Sequence, residues 1–243
     1  MAVILNIDTS TEVCSVALSA EGTVLCHREE FEQRNHATLL SGFIKDCLDR
    51  LRELELSLDA VAVSMGPGSY TGLRIGLSEA KGLAYALGLP LIGVDTLQLL
   101  AVSVMFSGYE YPEGAVYAPM IDARRMEVFT GVYDQALTPL LEPAPMILDA
   151  DSYAGFLEKS TVLFFGNGSD KAREVITSPN AVFVPDVKPL AVDMTALSEL
   201  KWSRREFLDL AYSTPWYRKE FQATSPRDPL ASSSASNSPR TAR

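Results

Sequence analysis

Met65-Gly-Pro-Gly-Ser-Tyr-Thr-Gly-Leu-Arg-Ile-Gly-Leu-Ser-Glu-Ala-Lys-Gly-Leu-Ala84 decides the reading of this chain. It follows Ala60-Val-Ala-Val-Ser64, an apolar run of the length of a short buried strand. Gly66, Pro67 and Gly68 force a turn, since glycine accepts positive φ and proline fixes its own. A helical pattern then opens, with Leu73, Leu77, Leu83 and Leu87 on one face and Gly72, Gly76, Ala80 and Ala84 in a second column. Such a column admits a neighbouring helix at close range, or packs on the protein's own sheet; spacing alone leaves both open. Strand, glycine turn and helix N-terminus also make a generic anion site. The spacing is neither that of a Walker loop nor Gly-x-Gly-x-x-Gly, because no Gly-Lys-Ser/Thr follows and Gly66, Gly68 and Gly72 lie two and four apart.

The 243 residues suffice for one large domain or two small ones. Hydrophobic residues make up 47% and no run reaches the ~18 apolar residues of a membrane helix, so a soluble, membrane-free protein is expected. The N-terminus enters Val3-Ile-Leu-Asn-Ile7 directly, without the basic flank of a signal peptide. Cys14, Cys26 and Cys47 are odd in number and far apart, which argues against a disulfide framework and for a reducing cytoplasm. Residues 1–200 carry 13 Lys/Arg against 27 Asp/Glu, whereas residues 201–243 carry 8 against 4. So acidic a body disfavours independent binding of nucleic acid, leaving only the basic C-terminal segment around Arg204, Arg205, Arg218 and Lys219 to assist.

Ala2–Asp8, Val13–Ser19 and Val24–Glu30 read as three successive strands, and a helix follows from Asn35, its cap, to Leu54. Its apolar stripe, which includes Leu39, Leu40, Phe43 and Ile44, is wider than one core-facing side needs. The strand at 60–64, the helix from Gly72 to Leu87, a strand at 91–94 and a helix at 97–106 complete a first unit. A second unit is expected from residue 108, with an antiparallel pair at 116–122 and 127–133, helical material at 151–158, a strand at 162–165, the turn Gly166-Asn-Gly168, a helix at 169–176, a strand at 181–184 and a long helix near 193–212. The order β-β-β-α-β-α-β-α, partly echoed in the second half, implies a duplicated α/β layout. Residues 225–243 are rich in Ser, Pro and Ala and are expected to form a disordered tail.

Several of these segments, in the same order, resemble the bacterial TsaB (YeaZ) family over residues 2–224: Asn6-Ile-Asp-Thr-Ser-Thr11, the 65–84 segment, Gly93-Val-Asp-Thr-Leu97, Pro119-Met-Ile-Asp-Ala-Arg-Arg125, Gly166-Asn-Gly168 and Pro215-Trp-Tyr-Arg-Lys219. The resemblance implies a two-lobed actin-like (ASKHA, ribonuclease H-like) fold with lobes at 1–107 and 108–224. It also implies a part in making threonylcarbamoyladenosine beside the tRNA anticodon. In that role the chain is a non-catalytic partner and activator of TsaD, dimerises with TsaD and with itself through one surface, is joined by TsaE, and meets tRNA only through the complex. His36, Leu39, Leu40, Phe43, Gly72, Arg74, Gly76 and Ala80, on the helices at 35–54 and 72–87, are the expected partner surface.

The departures from an active relative are equally specific. TsaD-type proteins hold a metal through His-x-x-x-His on the first long helix, whereas Leu40 stands four residues after His36 and the one other histidine is His27. Asp8-Thr-Ser-Thr11 would be the first phosphate loop of an actin-like kinase, but it lacks the usual glycine, so Asp8, Thr9, Ser10 and Thr11 are read as a vestigial loop with Asp8 a turn-former. The chain alone is expected to bind no cofactor, with ATP or ADP allowed for at the partner interface. The alternative is a stand-alone ASKHA-type nucleotide-binding kinase or hydrolase. A serine hydrolase finds no support, because Ser69 has no Gly-x-Ser-x-Gly elbow around it.

Overall fold

The computed structural model describes residues 2–31 and 36–217. The expected cap Asn35, the basic pair Arg218 and Lys219, and the expected tail 225–243 lie outside the described residues. Two five-stranded mixed sheets carry the fold. In the first, β1 (Val3–Asp8) pairs antiparallel with β2 (Cys14–Ala20), which pairs antiparallel with β3 (Thr23–Glu30). On its other side β1 runs parallel to β4 (Ala60–Gly66), and β4 to β5 (Leu91–Asp95). The resulting order is β3-β2-β1-β4-β5.

Central strands covered on both faces must be apolar on both, and alternation then assigns each side chain to a layer. Val3, Leu5 and Ile7 of β1 and Val61, Val63 and Met65 of β4 point toward α1 (His36–Glu53) and α2 (Tyr70–Leu87). Ala2 and Ile4, with Ala60 and Ala62, point the other way, toward α3 (Thr96–Met105). Asp95 starts α3 by accepting from the backbone N–H of Leu97 and Gln98, as expected of a cap. This helix is apolar around its circumference because it is shared. Leu99 and Val102 pack on the first sheet, and Leu97, Leu100, Ala101 and Val104 on the second.

The second sheet repeats the first strand for strand. β6 (Val116–Asp122), β7 (Glu127–Tyr133) and β8 (Pro139–Ile147) form the antiparallel meander, and β9 (Val162–Phe165) and β10 (Ala181–Phe183) extend it in parallel. α4 (Ala154–Leu157) and α5 (Ser169–Val175) occupy the places of α1 and α2. The strand β8 was not expected from sequence. It holds Pro139, Pro143 and Pro145, which would break a central strand but are tolerated at a sheet edge, where one side of the backbone needs no donor.

Of the expected second lobe, 108–224, the described residues to 217 do not all stay with the second sheet. The second sheet and its helices end near Phe183, and α6 (Thr195–Ser203) returns to the first sheet with Met194 and Leu197 in the layer beside α3. Nor does one helix fill 193–212: Arg205 turns at positive φ, and Leu208 then bridges Leu91 at the edge of the first sheet. The backbone N–H of Trp216 reaches the carbonyl of Met65 at 2.7 Å, so the segment after α6 is laid across the end of β4.

A candidate functional site around the covered loop at residues 8–11

β1 ends in Asp8, whose carboxylate is fully buried. It accepts from the Ser10 backbone N–H at 3.1 Å and from the Ser10 hydroxyl at 3.0 Å, which closes the turn predicted for it. Burial pushes the Asp8 carboxyl up to about 6, against the opposing pull of the nearby Ser64 hydroxyl and of the Ser10 hydrogen bonds, and the charge of Glu12 raises it further. Thr9 and Ser10 are as inaccessible as Asp8, and Thr11 nearly so.

What covers this loop is the glycine segment and α2. Ser69 donates its backbone N–H to the Ser10 carbonyl at 2.7 Å, and the Thr9 hydroxyl donates to the Gly72 carbonyl at 2.8 Å. A Cβ at Gly68 would collide with the Ser10 carbonyl oxygen, at Gly72 with the Thr9 carbonyl oxygen, and at Gly76 with the Thr9 hydroxyl. The glycines are therefore there so that α2 can lie directly on the backbone of residues 9–10. Two of the donors at the helix start are used within the fold: the Ser69 N–H by the Ser10 carbonyl, and the Gly72 N–H by the capping Ser69 side chain at 3.2 Å.

This corrects part of the expected partner surface. Gly72, Gly76 and Ala80 do not line an outward groove; they face the 8–11 loop and the core beneath α2. Leu40 is likewise a core residue, packed with Ile44, Cys47 and Leu51 of α1. Leu39 and Phe43 are half-buried, with Phe43 lying against the core, and Arg74 is exposed. His36 places Nε2 3.1 Å from the Glu12 carbonyl oxygen, tying the start of α1 to the β1–β2 loop. Among the described residues no group of three or more His, Cys, Asp or Glu side chains is placed to hold a metal ion. The outward sides of α1 and α2 carry a different set of small residues, Thr38, Ser41, Gly42, Ser78 and Gly82. A Cβ at Gly42 or Gly82 would meet open space, and Ser41 donates to Glu79 at 2.8 Å, joining the two helices at that surface.

The second lobe repeats the arrangement. Asp122 ends β6 as Asp8 ends β1, and Gly166-Asn-Gly-Ser169 leads from β9 into α5 as Gly66-Pro-Gly-Ser69 leads from β4 into α2. At Gly166, φ +89°, a Cβ would collide with the Met120 carbonyl oxygen, and the Asn167 side chain accepts from the backbone N–H of Asp122 at 2.9 Å. Lys171, missed in the sequence reading, holds this hairpin together. Its ammonium contacts the Asp122 carboxylate and donates to the carbonyls of Arg125 at 2.6 Å and Glu127 at 3.0 Å. Arg124 and Arg125, both at positive φ, form the tight turn between β6 and β7.

Two β-β-β-α-β-α-β-α units, each ending its first strand in an aspartate faced by a glycine turn, define a two-lobed α/β protein of the actin-like class. The family model for TsaD, tRNA N6-adenosine threonylcarbamoyltransferase, matches residues 29–200. The tRNA threonylcarbamoyladenosine biosynthesis protein TsaB of Bacillus subtilis is 34% identical over 177 residues, which cover 71% of this chain and 74% of that protein. TsaB of Escherichia coli is 41% identical over 133 residues, 54% of this chain and 55% of its own length, so there the match spans about half of the relative. The solved structure of YeaZ from Pseudomonas aeruginosa superposes with a TM-score of 0.74 at 31% identity, covering 89% of this chain and all of that one. The chain belongs to the TsaB (YeaZ) family. No helix among the described residues is long and apolar enough to cross a membrane.

Proposed function

We propose that this chain serves the biosynthesis of threonylcarbamoyladenosine in tRNA as a non-catalytic partner and activator of TsaD. The observation that carries the reading is the covering of the 8–11 loop by α2. Where an actin-like kinase needs open backbone to receive phosphate, this chain has placed its own helix, with the Ser69 N–H on the Ser10 carbonyl and the Thr9 hydroxyl on the Gly72 carbonyl. Asp122 is similarly engaged by Lys171. What is left for function is surface, and α1 and α2 present a side whose small residues let another helix pair approach closely.

In this reading Leu39, Phe43 and Arg74, with the outward small residues of α1 and α2, form the partner surface. It serves a homodimer when the chain is alone and the heterodimer when TsaD is present, with TsaE joining afterwards. ATP or ADP belongs to the assembled interface rather than to this chain alone, tRNA is met through the complex, and the setting is the cytoplasm. Light scattering coupled to size exclusion tests the exchange. The chain alone should run as a dimer and shift to a one-to-one complex when TsaD from the same organism is added. A chain that stays unchanged beside an equimolar amount of TsaD contradicts the reading.

A further inference from the structure

Arg74 stands one turn into α2 in a setting built for it. Its guanidinium lies over the Tyr70 ring, 4.5 Å from the centroid, and its Nε donates to the Tyr217 hydroxyl at 3.0 Å. The two tyrosine rings are 5.0 Å apart and tilted by 31°. Tyr217 is itself held, because Trp216 is tied to Met65 by its backbone and Lys81 donates to the carbonyls of Ala211 and Ser213, both at 3.1 Å. Yet the cluster is open to solvent, with Tyr70 48% and Tyr217 41% exposed. Among the described residues no carboxylate forms an ion pair with Arg74, whereas Lys45, Arg50 and Arg52 of the neighbouring α1 are each paired with an acid of their own helix.

A guanidinium has five N–H donors in a rigid fork. Here Nε is used by Tyr217 and one face rests on Tyr70, so the free recognition element is the outer edge carried by Nη1 and Nη2. That edge matches the two oxygens of an oxyanion in parallel hydrogen bonds. An unstacked nucleobase is a poorer occupant, since Arg74 already covers the ring it would need. A polyanionic RNA backbone would in addition approach a protein of net charge −10. Ordered Tyr and Arg side chains are what protein interfaces use as anchors, because little side-chain entropy remains to be lost on binding.

We propose that Arg74, fixed by Tyr70 and Tyr217, anchors a carboxylate of the protein partner through its Nη1/Nη2 edge. This rests on the reading of the chain as a partner of TsaD, and identifies the chemistry by which that partner is held. The test measures the affinity of the full-length chain for TsaD from the same organism, and for a fluorescent anticodon stem-loop. It compares wild type, Arg74→Gln, Arg74→Lys and Tyr217→Phe, with melting temperatures recorded for each.

Arg74→Gln should weaken TsaD binding at least about 30-fold, as loss of one member of a desolvated charge pair does, with an unchanged melting temperature and unchanged stem-loop affinity. Arg74→Lys keeps the charge but not the fork and should stay about 10-fold weaker than wild type. Tyr217→Phe, which removes the acceptor that orients Nε, should cost about 3- to 10-fold. Wild-type affinity of Arg74→Gln for TsaD would overturn the anchor while leaving the partnership intact. Full recovery by lysine would overturn the bidentate contact. Loss confined to the stem-loop would overturn the carboxylate in favour of RNA phosphate, and a wild-type chain that does not bind TsaD would remove the partnership itself and this contact with it.

Discussion

Replacing Asp8 by asparagine should stabilise this protein at neutral pH. An aspartate ordinarily titrates at 3.8, but buried at the end of β1 it is pushed up to about 6. The folded state therefore holds the proton more tightly than the unfolded state. Stability is fullest below the unfolded value and is lost as pH rises through the folded one, and between the two the linkage amounts to about 3 kcal/mol. Asparagine keeps the oxygen that accepts from Ser10 N–H, and its amide can donate to the hydroxyl of Ser10 or Ser64, so the turn keeps its bonds. At pH 7 the variant should unfold with a free energy up to about 3 kcal/mol higher, or roughly 6–12 °C in melting temperature for a chain of this size. By pH 4 most of that advantage should vanish, because wild-type Asp8 is then protonated in the folded state and about half protonated in the unfolded one. Urea unfolding of both proteins at pH 4, 5, 6 and 7 checks this. A variant less stable than wild type at pH 7, or a difference that does not change with pH, would refute the argument that Asp8 is an uncompensated buried acid in a covered loop.

Gly72→Ala should destabilise by about 1–3 kcal/mol, since its methyl meets the Thr9 carbonyl and α2 must lift off the loop; denaturant titration reads the loss directly. Lys171→Met should cost about 2 kcal/mol by removing the ammonium that the Arg125 carbonyl and the Asp122 carboxylate share, and hydrogen exchange should show the added opening confined to the β6–β7 hairpin. The isolated chain, titrated calorimetrically with Mg-ATP, should give no heat of binding up to ~1 mM, about 4 kcal/mol being the affinity such a limit corresponds to. Saturable binding abolished by Asp8→Ala would instead favour a stand-alone nucleotide-binding protein.

The duplicated layout was legible because it rests on local patterns: apolar runs for β1, β4 and β5, and glycine turns in the same place in each half. What sequence spacing could not give was direction. The column Gly72, Gly76, Ala80 fits a contact with another chain and a contact with residues 9–10 equally well, and which one holds depends on where the β1–β2 loop lies relative to α2. β8 was hidden because its prolines argue against a strand until its edge position is known. The return of α6 to the first sheet, which moves residues 191–217 out of the second lobe, depends on contacts far apart in the chain, such as Leu208 with Leu91. Lys171, and the role of Tyr217 within the quoted segment 215–219, were missed for the same reason: each matters through partners, Asp122 and Arg74, that lie 49 and 143 residues away.

The most direct test of the central claim is reconstituted threonylcarbamoylation with unmodified tRNA, threonine, bicarbonate, ATP and the partner proteins of the same organism. It should be run complete, without this chain, and with this chain in place of TsaD. A non-catalytic activator predicts modified adenosine in the complete reaction, its loss on omission, and none when this chain replaces TsaD. Full modification without this chain, or modification when it stands in for TsaD, would contradict the account.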